Sequence, residues 1–261
     1  MTDLFLSPLL LFFAIFALLV LMVEAGFRIA RARALDTQEI LREQIKEARD
    51  ACVLLLSLLL GFTLAMALPR YDERKHLLTD EANDIGTTAL RAQLLPEPYK
   101  TQIVHLITNY ADSRLAYLEA GEQAASVEAA LARTRELQNE LWGATAGVSQ
   151  AAPTPITSIF VQSLNGAIDS SEKQVATLEN RIPPSVWIMI TLIAMMTCFA
   201  AGLSARRRVL LSLTLMPLMT AVVMSLTADL DTPSRGFIQV GFGSMQRLVL
   251  ALHAPPAQAR P

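Results

Sequence analysis

The sequence predicts an all-α membrane protein: four transmembrane helices, with a helical-bundle domain between the second and the third. Three observations predict it. Four apolar runs, Leu4–Val23, Ala51–Leu68, Val186–Leu203 and Val209–Leu226, contain no Asp, Glu, Lys, Arg or His. The first is 20 residues long and the others 18 each, close to the roughly 20 that a helix needs to cross a hydrocarbon core. Apolar residues make up 52% of the 261-residue chain and charged residues only 18%, a balance typical of membrane proteins. The 117 residues at 69–185 are the only sizeable polar region, and their apolar residues recur at helical spacing with no alternating strand pattern.

Residues 1–23 are read as the first span. It lacks the basic leader of a signal peptide, and its apolar core is too long for one. The cleavage-like triplet Ala32-Arg33-Ala34 falls well past that core, so an uncleaved helix is expected. Residues 24–50 form a polar helical linker with six basic and six acidic residues. Glu39–Arg42 and Glu43–Lys46 are opposite-charge pairs one helical turn apart, and the segment reads as a solvated surface helix. Residues 51–68 are the second span.

The domain at 69–185 carries four stripes. Leu78, Ala82, Ile85 and Ala89 form the first; Ile103, Leu106, Ile107 and Tyr110 the second; Val127, Leu131, Thr134, Leu137 and Leu141 the third. The fourth runs Ile156, Phe160, Leu164, Ile168, Val175, Leu178 and Ile182. Breaks are expected at Pro96 and Pro98, near Gly121, from Gly147 to Pro155, and at Pro183-Pro184. Spans three and four occupy 186–203 and 209–226. Residues 227–261 form a C-terminal tail with a short helix near Met245–Leu252 and a polar end, His253–Pro261, that reads as disordered.

Several chemistries are absent from the sequence. His76, His105 and His253 show no ligand spacing, and Cys52 and Cys198 lie in or beside spans, where small apolar packing is the expected role. There is no GxSxG, HExxH or Walker-type loop, and Gly241-Phe-Gly243 lacks the strand–helix context of a dinucleotide site. Asp229 and Asp231 are weak candidates for a metal, since two acids at this spacing after a membrane helix read first as solvated. No enzyme and no cofactor is expected. The net charge of −2 leaves no footprint for nucleic acid. Spans without ionisable residues disfavour a coupled transporter and leave a channel or an anchored module in a lipid bilayer, with the plasma (inner) membrane as the expected multi-pass location.

The junction after the second span is the most specific part of the chain. Apolar sequence gives way within a few residues to Arg70, Tyr71, Asp72, Glu73, Arg74 and Lys75, followed by Glu81-Ala82-Asn83-Asp84-Ile85-Gly86 and Arg91. Leu60-Gly61-Phe62 leading to Tyr71-Asp72-Glu73-Arg74 resembles the second membrane helix of the bestrophin channels, with a slightly longer spacing here. Leu226–Pro233 is similar to the acidic, Pro-containing segment after the last bestrophin helix. The chain is identified as similar to the bacterial bestrophin-like integral membrane proteins.

The resemblance implies a homopentameric channel for small inorganic anions, with the second membrane helix lining a pore that narrows at apolar side chains. On that basis the expected pore-lining face is Leu56, Leu60, Thr63, Leu64 and Ala67. The stripe Asp72, His76, Asp80, Asn83 and Thr87 faces either a vestibule or plain solvent, and its mixed charge suits anions poorly. Pro69 is expected to kink the helix. Orientation stays open. The linker at 24–50 and Arg206–Arg208 together hold nine basic residues, which puts those loops in the cytoplasm and the 69–185 domain outside; bestrophins place that domain in the cytosol. The alternative to a channel is a membrane-anchored helical sensor or scaffold acting through a partner, without transport, and a purely structural membrane protein is a third reading.

Overall fold

A computed structural model describes residues 8–33, 39–121, 123–205, 207–208, 210–232 and 236–254. The start of the first apolar run, Arg206, Pro233 and the polar end at 255–261 lie outside the described residues. Among the described residues there are eight helices and no strand. They are α1 (Pro8–Ala32), α2 (Glu39–Ala92), α3 (Tyr99–Glu119), α4 (Ala124–Ala151), α5 (Pro155–Glu179), α6 (Pro184–Ser204), α7 (Leu210–Asp231) and α8 (Gly243–His253). Four are long and apolar enough to cross a membrane: α1, α2, α6 and, from Leu213 to Asp231, α7. Each overlaps one of the four runs read from the sequence.

The chain divides into two compact units, Met1–Tyr71 with Arg181–Gln239, and Asp72–Asn180 with Val240–Pro261. In the first, α1, α6 and α7 pack together, and α2 adds its membrane segment. The core holds Leu19 and Val23 of α1, Leu56 and Leu60 of α2, Ile190, Ala194 and Cys198 of α6, and Met224 of α7. Cys198 is fully buried, the packing role expected of it. The opposite faces show rows of large apolar side chains one turn apart, Ile188, Leu192 and Met196 on α6 and Leu211, Leu215 and Met219 on α7. Water would not tolerate such rows; lipid does. The buried hydroxyl of Thr197 satisfies itself by donating back to the Ile193 carbonyl at 2.6 Å.

Gly26 and Gly202 set the approach of α1 to α6. A Cβ at Gly202 would lie 2.9 Å from both Phe27 N and Val23 C, and one at Gly26 would lie 3.0 Å from Leu203 N. Only glycine lets the two backbones come this close.

The polar stretch before the second span differs from the expected free-standing surface helix. α1 continues through it to Ala32, and α2 starts at Glu39 and runs on into the membrane segment. Arg42 is buried and donates through Nε and Nη2 to the Ser204 carbonyl at 3.1 and 2.9 Å. Arg49 donates to Ser204 Oγ at 3.1 Å. The last turn of α6 leaves carbonyls without donors, and a cation there meets both the hydrogen-bonding need and the helix dipole.

The second unit is a bundle of α3, α4, α5, α8 and the later part of α2. Its core runs through Ile85 and Ala89 of α2, Ile103, Ile107 and Tyr110 of α3, Leu137, Leu141 and Val148 of α4, Phe160 and Leu164 of α5, and Met245 of α8. All four predicted stripes supply members. Pro96 and Pro98 precede α3, and Gly121 makes the turn into α4 at φ 60. α4 continues through Gly147 to Ala151, further than expected. Thr154 then caps α5 by accepting from Thr157 N at 3.2 Å, with Pro155 in the first turn. Pro184 opens α6 rather than ending α5, because its fixed φ and missing donor suit a first helical position.

Candidate functional site

The membrane segment of α2 presents two faces. Leu56, Leu60, Thr63 and Ala67 recur at steps of four, three and four and are buried within the chain, each under a tenth exposed. Leu56 and Leu60 belong to the core shared with α1, α6 and α7. Ala67 packs with Ile182 and Leu230, and Leu64 and Tyr71 lie against that cluster partly buried. Thr63 Oγ1 donates to the carbonyls of Leu59 and Leu60, both at 3.0 Å. The five residues expected to line a pore are thus engaged in packing within the chain, Leu64 only partly. The opposite face carries Leu54, Leu58 and Phe62, at 74, 53 and 60% exposure, together with Gly61, around which nothing lies within 4 Å of a built Cβ.

Just past Pro69, which α2 accommodates inside one continuous helix, the junction motif splits by direction. Arg70 Nη1 lies 3.8 Å from Asp231 Oδ1. Both Asp231 oxygens accept the Ile182 N–H at 3.1 Å. Asp229 accepts from Phe237 N and Ile238 N, at distances of 3.0 to 3.2 Å. The turn that brings those donors round contains Gly236 at φ 128, where a Cβ would strike the Asp229 carboxylate. The two acids considered for a metal therefore point at backbone donors and a guanidinium. Among the described residues no group of three His, Cys, Asp or Glu side chains is arranged to hold a metal ion.

In the second unit the rest of the motif is distributed around the bundle. Arg74 is buried and donates to the Thr177 carbonyl at 3.4 Å and the Asn180 carbonyl at 3.0 Å, closing the end of α5. Glu81 is fully buried and accepts from Arg114 Nε, while Arg114 Nη2 donates to Gln174 Oε1 at 2.8 Å. The Arg114 guanidinium also stands over the Tyr117 ring, 4.8 Å from its centre. Burial pulls the Arg114 pKa down, but the charge and hydrogen bond of Glu81 outweigh it and hold the guanidinium above its ordinary value. Burial pushes Tyr110 up, against smaller opposing effects of Ser171, Arg114 and Gln138.

Gly86 lies against Leu248 of α8, 3.2 Å from a built Cβ. Arg91 donates to the Ile159 carbonyl at 3.4 Å. Asp72, Glu73 and Asn83 are exposed. Sequence reasoning missed Arg114 and Gln174. Arg114 sits one turn beyond Tyr110 on the stripe that begins at Ile103, and a charge on a buried stripe was the available signal.

The family profile of the Bestrophin-like domain matches residues 10–243. The chain belongs to the bestrophin-like family. The bestrophin-like fold is also that of solved structures. One, of a bacterial bestrophin homologue from Klebsiella pneumoniae carrying a point mutation, aligns with a TM-score of 0.68 at 13% identity, covering 94% of this chain and 99% of that one. Another, of a Klebsiella pneumoniae homologue solved by zinc phasing, gives a TM-score of 0.66 at 12% identity, covering 92% and 97%. At such identities the likeness is one of fold. No curated protein matches the chain.

Proposed function

We propose that this bestrophin-like protein is an ion channel of the inner membrane, built from several copies of the chain, five by the resemblance, with α2 lining the pathway. One observation carries the reading. Leu54, Leu58 and Phe62 form an exposed apolar row on the face of α2 opposite the one buried in the protomer. Repeated around an axis, such a row makes an apolar constriction that gates by dewetting. Gly61 beside it removes side-chain bulk where neighbouring copies of α2 converge. In this reading the exposed row takes the place of the face first expected to line the pore, since Leu56, Leu60, Thr63 and Ala67 are buried in packing within the chain.

The sensor alternative calls for a ligand cavity within 69–185. The centre of that bundle is filled by its own side chains, Ile103, Tyr110, Leu141 and Phe160 among them, and the cavity of about 530 Å³ in that region is an open groove where α4 meets α5, between Ser149, Thr154 and Gln162.

The test is the full-length protein in planar bilayers, with its oligomeric mass measured in detergent. Oligomers that conduct, and Leu58→Ala or Phe62→Ala variants with raised open-channel conductance, support the reading. Monomers, electrically silent oligomers, or variants with unchanged conductance defeat it.

A further inference from the structure

Arginines from separate parts of the membrane-spanning unit converge where α6 ends. On α1, Leu21, Glu24, Arg28 and Arg31 follow at steps of three, four and three and so share one face of the helix. Leu21 is an exposed apolar side chain. Glu24 is half-buried and accepts from Arg28 Nε at 2.6 Å. Arg28 and Arg31 are exposed. Over about 15 Å of helix, one face passes from a side chain suited to hydrocarbon to two guanidinium groups.

The connection between α6 and α7 supplies the rest. Arg208 donates to the same Glu24 carboxylate that Arg28 holds, and its guanidinium stands over the Phe27 ring, 5.3 Å from the centre. Arg207 beside it is exposed. Glu24 is the only acid of α1, so a single carboxylate stands among four arginines. The start of α2 does not cancel the excess. Its Arg42 and Arg49 turn to Ser204, and its acids Glu39, Glu43, Glu47 and Asp50 project about a quarter turn round the helix from them.

We infer that this edge is a binding site for the headgroup of an anionic phospholipid. The phosphate is held between Arg28 and Arg208, Arg31 and Arg207 add charge at its rim, and an acyl chain lies along the exposed apolar face of α1 past Leu21. The inference stands on the membrane spans and does not depend on a channel. Guanidinium forks match phosphate oxygens in pairs. Glu24 holds two of them in place before the ligand arrives, which lowers the ordering cost of binding, and the two together outweigh its charge. Basic clusters at the membrane surface attract anionic headgroups. The apolar face leading to the cluster is what selects a lipid over a soluble phosphate.

The experiment uses the full-length protein in detergent, stripped of lipid, with phosphatidylglycerol, phosphatidylcholine or inorganic phosphate added at equal concentration. Native mass spectrometry should show phosphatidylglycerol retained several-fold over phosphatidylcholine, less so as ionic strength rises. Phosphatidylglycerol should raise the melting temperature, and inorganic phosphate should leave it unchanged. The double variant Arg31→Gln, Arg207→Gln should melt with the parent when lipid-free, since both side chains are exposed, and should retain phosphatidylglycerol several-fold less. Arg28→Gln with Arg208→Gln should abolish the preference. Equal retention of the two lipids overturns the inference. So does a stabilisation by inorganic phosphate that matches that of phosphatidylglycerol, which assigns the site to the free anion. An Arg31→Gln, Arg207→Gln protein that melts with the parent and retains phosphatidylglycerol as the parent does overturns it as well.

Discussion

Gly202→Ala adds one methyl group where α6 crosses α1, and the structure gives its cost. The new Cβ would lie 2.9 Å from Phe27 N and Val23 C and closer still to the Val23 carbonyl oxygen, whereas ordinary Cβ contacts begin at 3.4 Å. The atoms in the way are backbone, so no rotamer relieves the clash and the helices must separate. Overpacking of this kind costs about 1–3 kcal/mol, and an immovable backbone puts Gly202→Ala at about 3. At about 2–4 °C per kcal/mol for chains of comparable size, the melting temperature in detergent should fall by roughly 6–12 °C. Gly26→Ala meets the Phe199 carbonyl across the same crossing and should cost a similar amount. Because one separation relieves both clashes, the double variant should lose much less than the sum of the singles. Gly143→Ala, on the exposed side of α4, is the control. Nothing lies within 4 Å of its Cβ, and alanine is the better helix former by about 1 kcal/mol, so stability should hold or rise. A Gly202→Ala protein that melts with the wild type, or a double variant whose loss is additive, would refute the close-crossing argument.

Arg114→Leu should destabilise the protein by about 3–5 kcal/mol, because it strands the Glu81 carboxylate without its partner; chemical denaturation should show Glu81→Met with Arg114→Leu recovering most of the loss. Tyr110 has a raised pKa, so above the ordinary tyrosine value of 10.0 the unfolded chain gives up a proton that the folded one keeps. Stability should therefore fall as pH rises from there towards the elevated folded value, by at most about 1.4 kcal/mol per pH unit, and Tyr110→Phe should flatten that alkaline limb in melting curves. Arg42→Gln should lower the melting temperature by removing two charged donors from the Ser204 carbonyl, hydrogen bonds of about 1.5–3 kcal/mol when the donor is ionised. Asp229→Ala should cost about 1–3 kcal/mol for each amide it leaves unpaired, while calcium or a chelator leaves the melting temperature of the parent unchanged; a calcium-dependent rise would restore Asp229 and Asp231 as cation ligands.

The sequence by itself determined the four spans, the helical class and the family. Hydrophobic length fixes what can cross a bilayer, and the stripes at Leu78, Ile103, Leu137 and Phe160 fix which side of each helix is buried; both are local properties of the chain. Tyr71-Asp72-Glu73-Arg74 after Leu60-Gly61-Phe62 added the family because that pattern is itself a run of neighbouring residues. Tertiary structure alone decided which face of α2 is free. Leu56 and Leu54 are equally apolar, and only the packing of α1, α6 and α7 around the first leaves the second exposed. It alone decided that Arg42 closes α6, that Arg114 neutralises Glu81 and that Asp231 meets Arg70, because each partner comes from a distant part of the chain. The junction shows the reason most directly. A count of charges along the sequence gives every side chain equal weight, but from Arg70 to Lys75 the fold pairs Arg70 with Asp231 and buries Arg74, and leaves Asp72, Glu73 and Lys75 exposed.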